Sequence, residues 1–210
     1  MPNIPDKFKK AEKNERGTLF SPAARMMYAS LFVPTSPDRE DNSQGKLQYG
    51  LTILIPADFD LSAIEKDVEE IINKEHKPAN ATLRAKIKTP ILETAGQESL
   101  AALAEEYPYF IRIASKAYDK NGQKRQKPGV IDARAQPIAE DDAPDQLYNG
   151  RWCRVSMRAY AWTHATGGKG VSLGLNNVQV LWNDDPLAGG KASAESEFEA
   201  VEVEEFGEFA

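Results

Sequence analysis

The sequence predicts a β-rich α+β fold: a small closed five-stranded Greek-key barrel with helices inserted between some strands. Three observations lead there. At least five segments carry period-two or continuous apolar patterning, one segment carries helical periodicity, and the last strand contains a step that marks a bulge. Strong local bending is what a small closed sheet requires of its strands.

Residues 1–18 are polar and lysine-rich (Lys7, Lys9, Lys10, Lys13, Arg16) and lack apolar periodicity, so they read as a mobile basic arm. Residues 24–33 and 47–55 read as strands, separated by Pro34-Thr35-Ser36-Pro37-Asp38 and a second run of breakers. In the second strand Leu47, Tyr49, Leu51, Ile53 and Ile55 alternate with Gln48, Gly50 and Thr52, which buries one face. Leu61, Ile64, Val68, Ile71 and Ile72 then recur at helical spacing, predicting an amphipathic helix over residues 60–74 whose Ser62 and Glu65 form a capping box. A shorter helix is expected over residues 97–106, with Pro108 as its stop. Residues 109–118, 129–134, 152–162 and 170–182 complete the strands. In the last of these Val171, Leu173 and Leu175 alternate, and Val178 and Val180 resume after a step of three, so Asn176-Asn177 marks the bulge. The domain is therefore expected over residues 19–183, followed by a disordered acidic tail over 184–210.

Charge is distributed unevenly. The chain has 210 residues and a formal net charge of −6, and residues 191–210 alone, with one lysine and seven glutamates, account for all of it. The remaining body is neutral, yet between Asp145 and Asp184 it holds no acid and four cations, Arg151, Arg154, Arg158 and Lys169. Cys153 alternates onto an apolar face and reads as a core thiol, and one cysteine with two distant histidines cannot build a four-ligand structural zinc site. No metal or other cofactor is expected. No run is apolar enough to span a membrane, and the charged start does not read as a signal peptide, so a cytoplasmic setting is expected.

The stretch 152–162 carries the chemistry. Cys153, Val155, Met157, Ala159 and Ala161 form a small apolar face; Trp152, Arg154, Ser156, Arg158, Tyr160 and Trp162 form the other. Burial alone would not interleave cations with large aromatics, whereas single-stranded nucleic acid uses both, its phosphates attracting guanidinium groups and its bases stacking on rings. Residues 109–118 repeat the mixture, with Ile111 and Ile113 on one face and Phe110, Arg112, Lys116 and Tyr118 on the other. After Tyr118, Lys120, Lys124, Arg125 and Lys127 lie between the turn signals Asn121-Gly122 and Pro128-Gly129 and predict a basic loop beside that face. Arg112, Lys116, Arg154 and Arg158 are expected to hold phosphates; Phe110, Tyr118, Trp152, Tyr160 and Trp162 are the candidates for base stacking, with some of them expected to line the barrel wall instead. His164, beside Trp162, reads equally as a nucleic-acid contact or as an exposed loop histidine.

Two other classes stand against this reading. Asp132, Glu140, Asp141, Asp142 and Asp145 could form the metal cluster of a nuclease, and the Trp-rich face could serve a protein partner. Thr166-Gly167-Gly168-Lys169-Gly170 lacks the spacing of a phosphate loop and reads as a turn.

The aromatic-basic strand, the segment from Lys169 to Val180 that follows it and the acidic tail resemble bacteriophage single-stranded DNA-binding proteins, most strongly over residues 149–180. The resemblance implies an OB fold, no enzymatic activity, and a role in coating DNA strands exposed during phage replication and recombination in the bacterial host. It also implies that the tail, through Glu204, Glu205, Phe206, Glu208 and Phe209, recruits replication proteins and competes with DNA for the groove.

Overall fold

The structure, a computed structural model, describes residues 2–37 and 43–187. The chain runs β1 (Glu12–Lys13), β2 (Leu19–Phe20), β3 (Ala24–Thr35), β4 (Gln48–Ile55), α1 (Ser62–Ile71), α2 (Ala81–Ala85), β5 (Ile91–Glu93), β6 (Tyr109–Lys116), β7 (Gly129–Ile131), α3 (Ala143–Gln146), β8 (Trp152–Thr163) and β9 (Lys169–Val180). Among the described residues all the strands join one sheet, and it has nine members rather than the five expected. β7, expected over residues 129–134, is confined to Gly129–Ile131, and the strands not expected are β1, β2 and β5, each only two or three residues long. They are too short for an alternation pattern to reveal them.

The five long strands carry the architecture. β3 pairs antiparallel with β4, β4 antiparallel with β6, β6 parallel with β9, and β9 antiparallel with β8, which pairs back onto β3. The parallel pair needs a long crossover, and the stretch between β6 and β9 supplies it with β7, α3 and β8. Between β8 and β9 the register steps from Ser156↔Asn177 to Met157↔Leu175, leaving Asn176 unpaired. This is the bulge that the broken alternation of β9 predicts.

Alternation sends Tyr49, Leu51, Ile53 and Ile55 of β4, Ile111 and Ile113 of β6, Val155 and Met157 of β8 and Leu173 and Leu175 of β9 into one core. α1 adds Ile64 and Val68, and the wider turn of helix that continues it, Ile72–His76, adds Ile72. The expected capping box does not form. The Asp60 carboxylate accepts from the Ser62 amide instead, at 2.8 Å, and the Ser62 hydroxyl and amide together lower the Asp60 pKa. The segment expected as a helix over 97–106 is a 3₁₀ helix over Glu98–Leu103.

The first residues are not a mobile arm. Ile4 and Ala11 are buried, the Ala11 amide donates to the Asp60 carbonyl, Phe8 packs edge-on against Trp182, and Lys13 is bonded to Asp67 of α1. Apolar residues at Ile4, Phe8 and Ala11 anchor a segment whose lysines dominate its composition. At the other end the fold extends past residue 183: Asp184 pairs with Arg25 at 2.8 Å, and Leu187 packs on the cluster around Met27 and Leu54. The rest of the acidic tail, including the proposed partner residues Glu204 to Phe209, lies outside the described residues.

Candidate nucleic-acid interface

The outward faces of β4, β6, β9 and β8 share one row of cross-strand neighbours, Gly50↔Ala114, Ala114↔Gly174 and Gly174↔Arg158. Three consecutive positions in it have no side chain beyond a methyl group. At the ordinary strand spacing the row crosses about 14 Å of sheet, leaving a shallow trough perpendicular to the strands. A side chain at Gly50 would be crowded, because a Cβ would stand 3.0 Å from the Ile113 carbonyl and 3.2 Å from the Ala114 methyl.

Flanking rows supply the chemistry. Lys116 lies opposite Gln48 and Arg112 opposite Thr52, while Tyr160 lies opposite Ser172. A cleft of about 400 Å³ is lined by Ala114, Lys116, Arg125, Arg158, Tyr160 and Gly174 among others. The Tyr160 ring lies beside Gly174, 3.5 Å from where a Cβ would sit, and is half exposed. Arg125 reaches the cleft because its amide is held by the Ala117 carbonyl at 2.8 Å, folding the basic loop back along the end of β6. The Asp119 carboxylate builds that loop's turn by accepting from the amides of Asn121 and Gln123. A neighbouring cleft shares Lys116 and Arg125 and adds Tyr118 and Lys120. Among the described residues, no carboxylate pairs with Lys116, Arg125 or Arg158. These are cations left available to an anionic ligand. Arg112 is exposed and, among the described residues, its guanidinium donates only to the Gln97 side chain, at 2.9 Å.

The alternation of β6 and β8 is as expected, but both ends of the outward face are covered. Phe110 is buried with Met27, Leu54, Leu100 and Tyr107, because the 3₁₀ segment lies over it. Trp152 is fully buried against Ile4, Ala23 and Leu181, donates from Nε1 to Asp184 at 2.8 Å, and has the Arg25 guanidinium 5.3 Å from its ring. Neither ring can stack on a base. Arg154 is engaged as well, donating to the Ser21 carbonyl and the Glu12 carboxylate between the rings of Phe8 and Phe20. Phosphate contact by Arg154 would require breaking that pair. Lys127 pairs with Glu140 at 3.3 Å, and Lys124 is exposed at the mouth of the loop, where its backbone pairs with that of Tyr118. Tyr118 is partly buried against the core. Trp162 lies over the β8–β9 hairpin, its ring beside Gly168 and Gly170 and 4.9 Å from the His164 ring.

The features set aside in the sequence have structural uses. The glycine-rich run is the hairpin turn, closed by the His164 amide on the Gly168 carbonyl at 2.7 Å. Asp132 accepts from the amides of Arg134 and Gln136, and no group of three or more metal-ligating side chains is gathered among the described residues. Cys153 is buried in the core, and burial pushes its thiol pKa far up.

The sequence profile of the family described as the Enterobacter phage Enc34 ssDNA-binding protein matches residues 19–209. The chain belongs to that family. Its structure is similar to the single-stranded DNA-binding protein from bacteriophage Enc34 solved in complex with ssDNA, at a TM-score of 0.65 and 17% identity over 89% of this chain and 99% of that one. A C-terminal truncation of the Enc34 protein gives 0.62 at 18% identity, covering 82% of this chain and 90% of that one. Bacteriophage T7 gp2.5, a single-stranded DNA-binding protein, gives 0.53 at 17% identity, covering 92% and 98% respectively. At these identities the structural likeness is one of fold. No curated protein matches the chain.

Proposed function

We propose that the chain binds single-stranded DNA without strong sequence preference, laying the strand across β4, β6, β9 and β8 along the small-residue trough. The observation that carries this reading is the row Gly50, Ala114, Gly174 with unpaired cations and an exposed tyrosine beside it. Arg158, Arg125, Lys116 and Arg112 hold phosphates, and Tyr160 and Trp162 offer rings to bases. Cationic contacts and stacking both tolerate any sequence. The circuit of five long strands is the basis for assigning an OB-type barrel. Membership of a phage family supports a role in coating DNA strands during phage replication and recombination, in the cytoplasm of the host. No step of this role calls for catalysis.

The acidic tail recruits replication proteins through Glu204, Glu205, Phe206, Glu208 and Phe209 and competes with DNA for the cationic trough. Its charge of −6 against a neutral body supports that competition.

The test is electrophoretic retention of a single-stranded oligonucleotide against the duplex of the same sequence. The single strand should be retained at low salt and the duplex left free, since paired bases cannot stack on the exposed rings. Equal retention of both would refute the reading.

A further inference from the structure

On the far side of the trough from Tyr160, the pairing of β3 with β4 steps from Met27↔Thr52 to Ser30↔Gly50. Two residues of β3 oppose one of β4, so the strand bulges at Tyr28 and Ala29. Tyr28 adopts φ +53, the left-handed region where glycine or asparagine sits without strain. It is an aromatic residue and it gains no burial there, being 52% exposed. The conformation is fixed by its surroundings: the Tyr28 amide donates to the Asn149 side chain at 2.8 Å, and the next residue along, Gly150, donates to the Met26 carbonyl. Gly150 is pinned in turn, since the Arg25 guanidinium and residues 185–187 pack where its Cβ would be.

A strained backbone that turns a large ring outward, buttressed from behind, is stored at a cost the core does not repay. Tyr28 lines a cleft of about 260 Å³ with Ser30, Gly50, Thr52, Arg112 and Ala114. Gly50 and Ala114 are also the first members of the trough row, so the cleft opens directly onto it. Arg112 supplies a cation beside the ring.

We infer that Tyr28 and Arg112 form a second base-and-phosphate site at the β3 end of the trough, opposite the Tyr160 site. The inference rests on the single-stranded DNA reading. A bound strand crosses from Tyr160 over Gly174, Ala114 and Gly50 and ends with a base against the Tyr28 ring. A rigid platform at each end holds the strand taut across the small residues between them.

Tyr28→Gly in the full chain separates the ring from the backbone, because glycine takes the left-handed conformation freely and should leave Tm equal or higher. Oligo-dT affinity should fall roughly tenfold, the scale of one stacked base, with the salt dependence unchanged because no charge is lost. Tyr28→Trp should retain wild-type affinity. Irradiation of an oligo-dT carrying 5-iodouracil should cross-link to Tyr28 in the wild-type protein. Wild-type affinity for Tyr28→Gly, or cross-links confined to the Tyr160 side, would overturn the second site and leave the trough reading standing. Failure of the wild-type chain to bind oligo-dT would overturn both.

Discussion

Arg158 and Phe110 show how two residues on the same kind of strand face come to opposite uses. Arg158 lies where none of the described residues covers the sheet, whereas Phe110 lies under the 3₁₀ segment. Arg158→Ala should weaken oligo-dT binding and reduce the slope of log affinity against log salt by about 0.7, the signature of one lost phosphate contact. Phe110→Ala should instead leave an unfilled volume in the core and cost about 3–5 kcal/mol of stability, read from denaturant unfolding.

A third residue, Asp184, governs acid stability. Burial raises its pKa, but the Trp152 indole, the Asp185 amide and the Arg25 guanidinium together outweigh that and hold it below the usual carboxylate value. The folded state therefore favours the charged form. Its contribution is complete above the unfolded carboxylate range, near pH 4, and is lost as pH falls through the lower folded value. Asp184→Asn should flatten the acid limb of the stability curve between those two values, measured as Tm against pH. An unchanged limb would remove Asp184 from this role.

Among the elements, period-two alternation made β4, β6, β8 and β9 legible, together with the sidedness of each and the bulge at Asn176. It could not show what lies over a face. Phe110, Trp152 and Arg154 were assigned to the correct side, yet distant segments close over them: the 3₁₀ turn, the N-terminal residues and residues 181–187. Single residues with little side chain were equally silent. Gly50, Ala114 and Gly174 lie far apart in the chain and become a trough only through register, which no local pattern states. Tyr28 was hidden because its strand shows no break where the bulge occurs.

The trough gives a prediction at this scale. A Cβ on Gly174 would meet its neighbours at an ordinary 3.5 Å, so Gly174→Ala should fold normally. Gly174→Leu would fill the channel and press on the Tyr160 ring, lowering DNA affinity at least tenfold with little change in Tm. Affinity equal to wild type would place the strand elsewhere.

For the whole molecule, a net charge of −6 argues against nucleic acid until it is divided between a neutral body and an anionic tail. If the tail occupies the trough, deleting residues 191–210 should tighten binding at low salt, and the difference should vanish as salt screens the charges. Recruitment of replication proteins is a separate property, lost on the same deletion but recovered by transferring the tail to an unrelated carrier protein.

The central claim, that cations and exposed rings across β4, β6, β9 and β8 hold a single strand, is tested most directly by titrating intrinsic fluorescence with oligo-dT across a salt series. Trp162 lies over the β8–β9 hairpin, two positions beyond Tyr160 on β8, while Trp152 is buried and Trp182 is packed against Phe8. Binding should quench the signal, Trp162→Phe should remove most of the quench, and affinity should fall with salt at a slope of about −0.7 per phosphate held. Unchanged fluorescence together with no DNA retained at low salt would contradict it.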